Sequence, residues 1–170
     1  MEHQCQQTRR RPVDLAAYAR RSQSGPCFIC AIAAGEPDGR HQLLYEDEQT
    51  LAFLSRYPTL PGYSLVAPKR HVEDWVHELT AAEFLALQMV VRDLATALAA
   101  VLPTERMYSL SLGSRQGNAH LHWHVVPLPP GVPYEQQQYH ALMAENGVLD
   151  ISEQDQAALA AAVRQQLASD

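Results

Sequence analysis

Asn118-Ala119-His120-Leu121-His122-Trp123-His124-Val125-Val126-Pro127 places three of the chain's eight histidines within five residues. On a strand, successive side chains leave opposite faces. The three imidazoles then share one face, with Asn118 beside them, while Leu121, Trp123 and Val125 share the other. A helix would scatter the same residues around its axis. The apolar residues between the histidines favour the strand, over 120–126, and Pro127 is expected to end it. Imidazole is the side chain best suited to exchange protons or bind metal near neutral pH, so three on one face mark a candidate site.

Outward from this strand, the pattern reads as an antiparallel sheet. Residues 42–46 and 50–54 form two strands joined by the acidic turn Asp47-Glu48. A third, 63–67, follows the Pro61-Gly62 turn and stops at Pro68, and a fourth spans 107–112. The strongest helix begins at Thr80, where Thr80 and Glu83 make a capping box and Leu79 with Phe84 a hydrophobic staple. Phe84, Leu87, Val91, Leu94, Leu98 and Val101 recur at spacings of three and four, which gives one buried stripe. A last helix starts at Ser152, capped with Asp155, and carries Leu159, Val163 and Leu167. Residues 13–21 allow a short helix, 22–26 read as a linker, and the prolines of 127–133 predict an extended arm. The expected class is α+β: an antiparallel sheet with one long covering helix, plus a C-terminal helix. The chain divides into an N-terminal extension (1–24), a central domain (25–131) and a C-terminal arm and helix (132–170).

Composition narrows the function. The 170 residues carry a formal net charge of -6, which argues against a general nucleic-acid binder. Lys69, Arg70 and Arg115 are the basic residues nearest the suggestive motifs. No run approaches the roughly 18 consecutive apolar residues of a membrane span. The arginines at 9–11 lack the apolar run of a secretory signal, so a cytoplasmic location is the expectation. In that compartment Cys5, Cys27 and Cys30 do not form a disulfide framework. Cys27 and Cys30 make a C-x-x-C, and no thioredoxin-like βαβ pattern surrounds it. No Walker or G-x-G-x-x-G pattern is present.

His-Leu-His-Trp-His-Val-Val at 120–126 resembles the histidine-triad (HIT) signature, in which three histidines alternate with apolar residues. The blocks Cys27-Phe28-Ile29-Cys30, Leu44-Tyr45-Glu46-Asp47-Glu48, Leu51-Ala52-Phe53-Leu54 and Pro61 through His71 are similar to that family in order, over roughly 25–128. The resemblance implies a nucleotide hydrolase or nucleotidyl transferase, acting on dinucleoside polyphosphates or nucleoside phosphoramidates. His122 would attack the α-phosphorus to form a covalent nucleotidyl-histidine. Its other ring nitrogen must then carry the proton, held by a nearby backbone carbonyl. His124, Gln116 and the loop amides eased by Gly113 and Gly117 would stabilise the phosphoryl oxygens. Asn118, from its place on the same face, is a further candidate. Plain turn chemistry is an equal reading of Gln116 and Asn118.

A subset of the family carries zinc on a C-x-x-C, a His in the Pro-Lys-x-His block and the first His of the triad. Here these are Cys27, Cys30, His71 and His120. Two thiolates and two neutral imidazoles balance Zn²⁺ and close its coordination, so the implied metal is structural. Where many members hold a ribose-gripping Asp, this chain has Ser55, a single hydroxyl. The resemblance further implies a homodimer, and Leu85, Met89 and Val90 lie off the main stripe of the long helix in support. The alternatives are a phosphorylase that uses phosphate in place of water, a non-catalytic nucleotide-binding protein, and a catalytic metal site on the triad of a small β-barrel oxygenase. The last lacks the further carboxylate such a site needs.

Overall fold

The computed structural model describes residues 9–36, 41–113 and 118–169. In chain order, β1 (Arg10–Arg11) leads to α1 (Leu15–Ser24) and α2 (Phe28–Ala33). Strands β2 (Leu43–Glu46), β3 (Thr50–Leu54) and β4 (Ser64–Pro68) follow, then the short α3 (Trp75–Glu78) and the long α4 (Ala81–Val101). The chain continues through β5 (Arg106–Leu110), β6 (Trp123–Leu128), α5 (Tyr139–Leu142), β7 (Val148–Leu149) and α6 (Glu153–Leu167). The main sheet has five antiparallel strands in the order β2-β3-β4-β6-β5.

Alternation along these strands separates two interiors. Ala52, Leu54, Val66, Trp123 and Val125 face α4, whose Leu87, Val91, Leu94, Ala97 and Leu98 are buried against them. By length and composition α4 is apolar enough to cross a bilayer. Its buried stripe gives it the part of a core helix instead. The capping box forms as expected: the Glu83 amide donates to Thr80 Oγ1 and the Thr80 amide to Glu83. Ala160 and Val163 of α6 join the same core. On the opposite face Leu51, Phe53, Leu65 and Ala67 pack on Ile29 of α2. Gly62, at φ +73°, turns the chain into β4; a Cβ there would lie 2.4 Å from Leu102 Cδ1.

Four expectations need correction. The histidine strand begins at Trp123, so His120 and His122 precede it. The Leu121 amide donates to the Val72 carbonyl at 2.6 Å, and Ser111 Oγ donates to the His122 carbonyl at 2.7 Å. These partners take backbone groups that a strand ladder would otherwise use. Pro127 does not end the strand, because it lies beyond the last β4 pair, Ser64 with Val125, where only β5 remains as neighbour.

The arm predicted to be extended also folds back. Ala141 of α5 is buried with Leu60, Tyr63, Val126 and Leu128. Gln137 Nε2 donates to the Val132 carbonyl, and the Gln138 amide, at φ +53°, donates to Tyr108 Oη. At the other end α1 runs to Ser24, through most of the expected linker, and β1 pairs with β7.

Candidate functional site

His124, on β6, stands opposite Leu65 of β4 and Leu110 of β5 on the sheet face turned away from α4. There it lines a cavity of about 640 Å³ together with His122, Ser55 and Asn118. Phe28, His41 and Phe53 form an aromatic end, with Phe28 and His41 stacked at 5.6 Å and Phe53 edge-on at 6.0 Å to Phe28.

His122 Nδ1 lies 2.6 Å from the His120 carbonyl. A carbonyl only accepts, so Nδ1 carries the proton and Nε2 keeps its lone pair. Burial presses the His122 pKa down, and the ring therefore stays neutral at neutral pH. The rings of His122 and His124 are 4.8 Å apart. Burial, and then the proximity of His122, holds His124 at about 3. Its Nδ1 is 3.0 Å from Tyr63 Oη.

Ser55 reaches the cavity wall, and its Oγ accepts the Tyr57 amide at 3.2 Å. Asn118 also lines the cavity, but its Nδ2 donates to Cys27 Sγ at 3.7 Å. Gln116, Gly117 and Arg115 lie outside the described residues. Lys69 pairs with Glu46 at 2.8 Å and Arg70 with Glu83 at 3.1 Å; neither lines the cavity.

Several wall residues escaped sequence reasoning. Tyr18 and Arg21 of α1 lean on Tyr57, the rings 5.9 Å apart and edge-on, with Arg21 Nη2 donating to Tyr57 Oη at 3.0 Å. Met143 to Glu145 also line the cavity. Tyr63 lay inside a quoted block, with no signal that marked its hydroxyl. The only trace of α1's contribution was its short helical pattern.

His120 does not join the other two histidines. It is fully buried, and its Nδ1 lies 3.3 Å from Cys27 Sγ and 3.4 Å from Cys30 Sγ. His71 Nδ1 is 3.2 Å from Cys30 Sγ, and the four potential ligand atoms all lie within 4.8 Å of one another. Zn–S bonds of about 2.3 Å and Zn–N bonds of about 2.0 Å at tetrahedral angles separate S and N by roughly 3.5 Å. The three close sulfur–nitrogen pairs, at 3.2, 3.3 and 3.4 Å, lie within a few tenths of an ångström of that value.

The outer contacts fit as well. His120 Nε2 donates to the Pro68 carbonyl at 2.8 Å, and His71 Nε2 meets Glu73 Oε1 at 3.2 Å. Metal-binding histidines are held in this way, by a carbonyl or carboxylate on the far nitrogen. Partial burial works to raise the Cys27 thiol, but hydrogen bonding with His120, the Cys30 amide and Asn118 outweighs it and holds it at about 6. Burial and the adjacent Cys27 push Cys30 up to about 11. Two thiols that resist joint ionisation are a donor set that a cation completes.

Comparison with known proteins identifies the family and the fold. The HIT domain family profile matches residues 36–130. An uncharacterised HIT-like protein of Saccharolobus solfataricus is 30% identical over 104 residues, which cover 59% of this chain and 73% of that protein. Among solved structures, a histidine triad nucleotide-binding protein from Sulfolobus tokodaii superposes with a TM-score of 0.68 at 24% identity, covering 84% of this chain and 93% of the other. A zinc-bound histidine triad family protein from Mycobacterium smegmatis gives 0.67 at 24% identity, covering 84% and 94%. At that identity these structures speak for the fold. With the profile spanning more than half of its residues, this chain belongs to the HIT domain family.

Proposed function

We propose that the protein is a nucleotide-phosphate hydrolase or nucleotidyl transferase that works through a covalent intermediate on His122. The observation that carries this reading is the 2.6 Å contact of His122 Nδ1 with the His120 carbonyl, inside a cavity of nucleotide size. It leaves an Nε2 lone pair on a neutral ring, which is what a nucleophile at phosphorus requires. In the first step His122 Nε2 bonds to the α-phosphorus, the bond to the leaving group breaks with its electron pair, and that group takes a proton from solvent while the ring, still protonated at Nδ1, becomes cationic. In the second, water attacks the same phosphorus and releases a proton to solvent, the P–N bond breaks with its pair returning to Nε2, and the ring is neutral again. His124 stands beside the phosphoryl oxygens, and Ser55 meets the ribose with one hydroxyl. The aromatic end of Phe28, His41 and Phe53 suits a base, which stacks on flat rings. The similarity to the Sulfolobus tokodaii protein, described as a hypothetical nucleotide-binding protein, supports the ligand class.

The second constituent of this reading is zinc on Cys27, Cys30, His71 and His120, whose ligand atoms cluster together; that the Mycobacterium smegmatis relative is zinc-bound supports the metal. Bound there, the metal supplies a structural clamp with no open position. It would tie the start of α2, where Cys27 is the cap and Cys30 lies in the first turn, to the segment that carries His122, and a reducing compartment such as the cytoplasm would keep both thiols available. We also propose a homodimer, because Leu85 and Met89 on α4 remain 63% and 54% exposed after α6 has covered part of that helix.

A panel of dinucleoside polyphosphates and nucleoside phosphoramidates, with product analysis, tests the reaction. Mononucleotide release without added phosphate is expected. A nucleoside diphosphate formed only when phosphate is present would assign the phosphorylase reaction instead. Binding without turnover would leave a nucleotide-binding protein and defeat the enzymatic reading.

A further inference from the structure

Tyr63 is 9% exposed and sits in the cluster formed by Leu60, Val126, Leu128 and Ala141. Its position is set from both sides of the backbone: its amide donates to the Leu60 carbonyl, and its carbonyl accepts the Ser55 amide at 2.8 Å. Among the described residues its hydroxyl has one hydrogen-bond partner, His124 Nδ1 at 3.0 Å, with the two rings perpendicular at 87°. We propose that Tyr63 is a positioning residue, which donates its hydroxyl proton to His124 Nδ1 and thereby fixes His124 as an Nε2–H donor.

A phenol at neutral pH carries its proton, and burial pushes the Tyr63 pKa further up. A buried hydroxyl proton needs an acceptor, and the Nδ1 lone pair is the one within reach. The neutral His124 ring has a single N–H, so accepting at Nδ1 puts that proton on Nε2. His122 is held the other way, with its proton on Nδ1 by the His120 carbonyl. Two rings 4.8 Å apart therefore have opposite tautomers, one offering a lone pair and the other an N–H.

The division has a chemical use, which rests on the reaction proposed above. An Nε2–H on His124 can donate to a phosphoryl oxygen while the ring stays uncharged. It then adds no repulsion when His122 becomes cationic on bonding to phosphorus. The opposite tautomer of His124 would present a lone pair to those oxygens.

Ring nitrogen NMR of the purified, metal-containing protein tests the assignment without any substrate. The two triad signals are assigned with His122→Ala and His124→Gln variants. The expected result is a protonated Nε2 and a hydrogen-bonded, unprotonated Nδ1 on His124, with the reverse pattern on His122. A proton on His124 Nδ1 would overturn the proposal. In Tyr63→Phe the His124 Nδ1 signal should move and kcat should fall about tenfold, the worth of one hydrogen bond, with KM within about twofold. A Tyr63→Phe enzyme with wild-type kcat would refute the positioning role. The spectra of the unaltered protein decide the tautomer even if the variant folds poorly or the proposed reaction fails.

Discussion

Burial, and then the nearby His122, press the His124 pKa from 6.5 to about 3. Between those values the unfolded chain binds a proton that the folded chain refuses. Stability must therefore be fully present above pH 6.5 and fall as the pH drops through this window. A melting series from pH 7.5 to 4 should show a steeper decline for the wild type than for His124→Gln; equal slopes would contradict the buried neutral ring. At this scale the sequence was informative about residue types and poor on directions. Alternation grouped His120 with His122 and His124, yet His120 turns to Cys27 and Cys30 because the chain there pairs with Val72 and is not yet a strand. The resemblance, which assigned His120 to a metal, placed it better than periodicity did.

Elements whose cause is local were legible. The α4 helix has its cap, stripe and terminating Pro103 written within one segment, and Thr80→Ala should cost about 1 kcal/mol in denaturant unfolding. An unchanged midpoint would show the box to be idle. Gly62→Ala should be worse: the left-handed backbone alone costs roughly 1–2 kcal/mol, and the new Cβ collides with Leu102. A Gly62→Ala protein as stable as the wild type would mean the turn relaxes freely. Elements with distant causes were not legible. Prolines at 127–133 announce extended chain, but Ala141 has an apolar pocket to fill and Tyr108 Oη has the Gln138 amide to meet, so the segment folds back.

The whole molecule links a cysteine–histidine cluster, a cavity lined by His122 and His124, and two terminal segments. Removing one thiolate with Cys30→Ala should abolish metal in elemental analysis and lower the melting temperature, by about 2–4 °C for each kcal/mol of binding energy lost. Freshly purified wild-type protein without a transition metal would defeat the zinc assignment. Light scattering should return twice the 18.9 kDa of one chain, and the monomer mass would refute the dimer. The sheet and its covering helix were foreseen from hairpin spacing and helical periodicity, whereas the cavity wall built by α1 depends on Tyr18 and Arg21 meeting Tyr57, more than 30 residues away. The central claim is that His122 bonds to phosphorus, and intact mass spectrometry of the enzyme quenched during turnover tests it most directly. The expected result is a mass increase of one nucleotidyl group that maps to His122 and is absent from His122→Ala, whose turnover falls by several orders of magnitude. A His122→Ala enzyme with wild-type turnover and no adduct in either protein would contradict it.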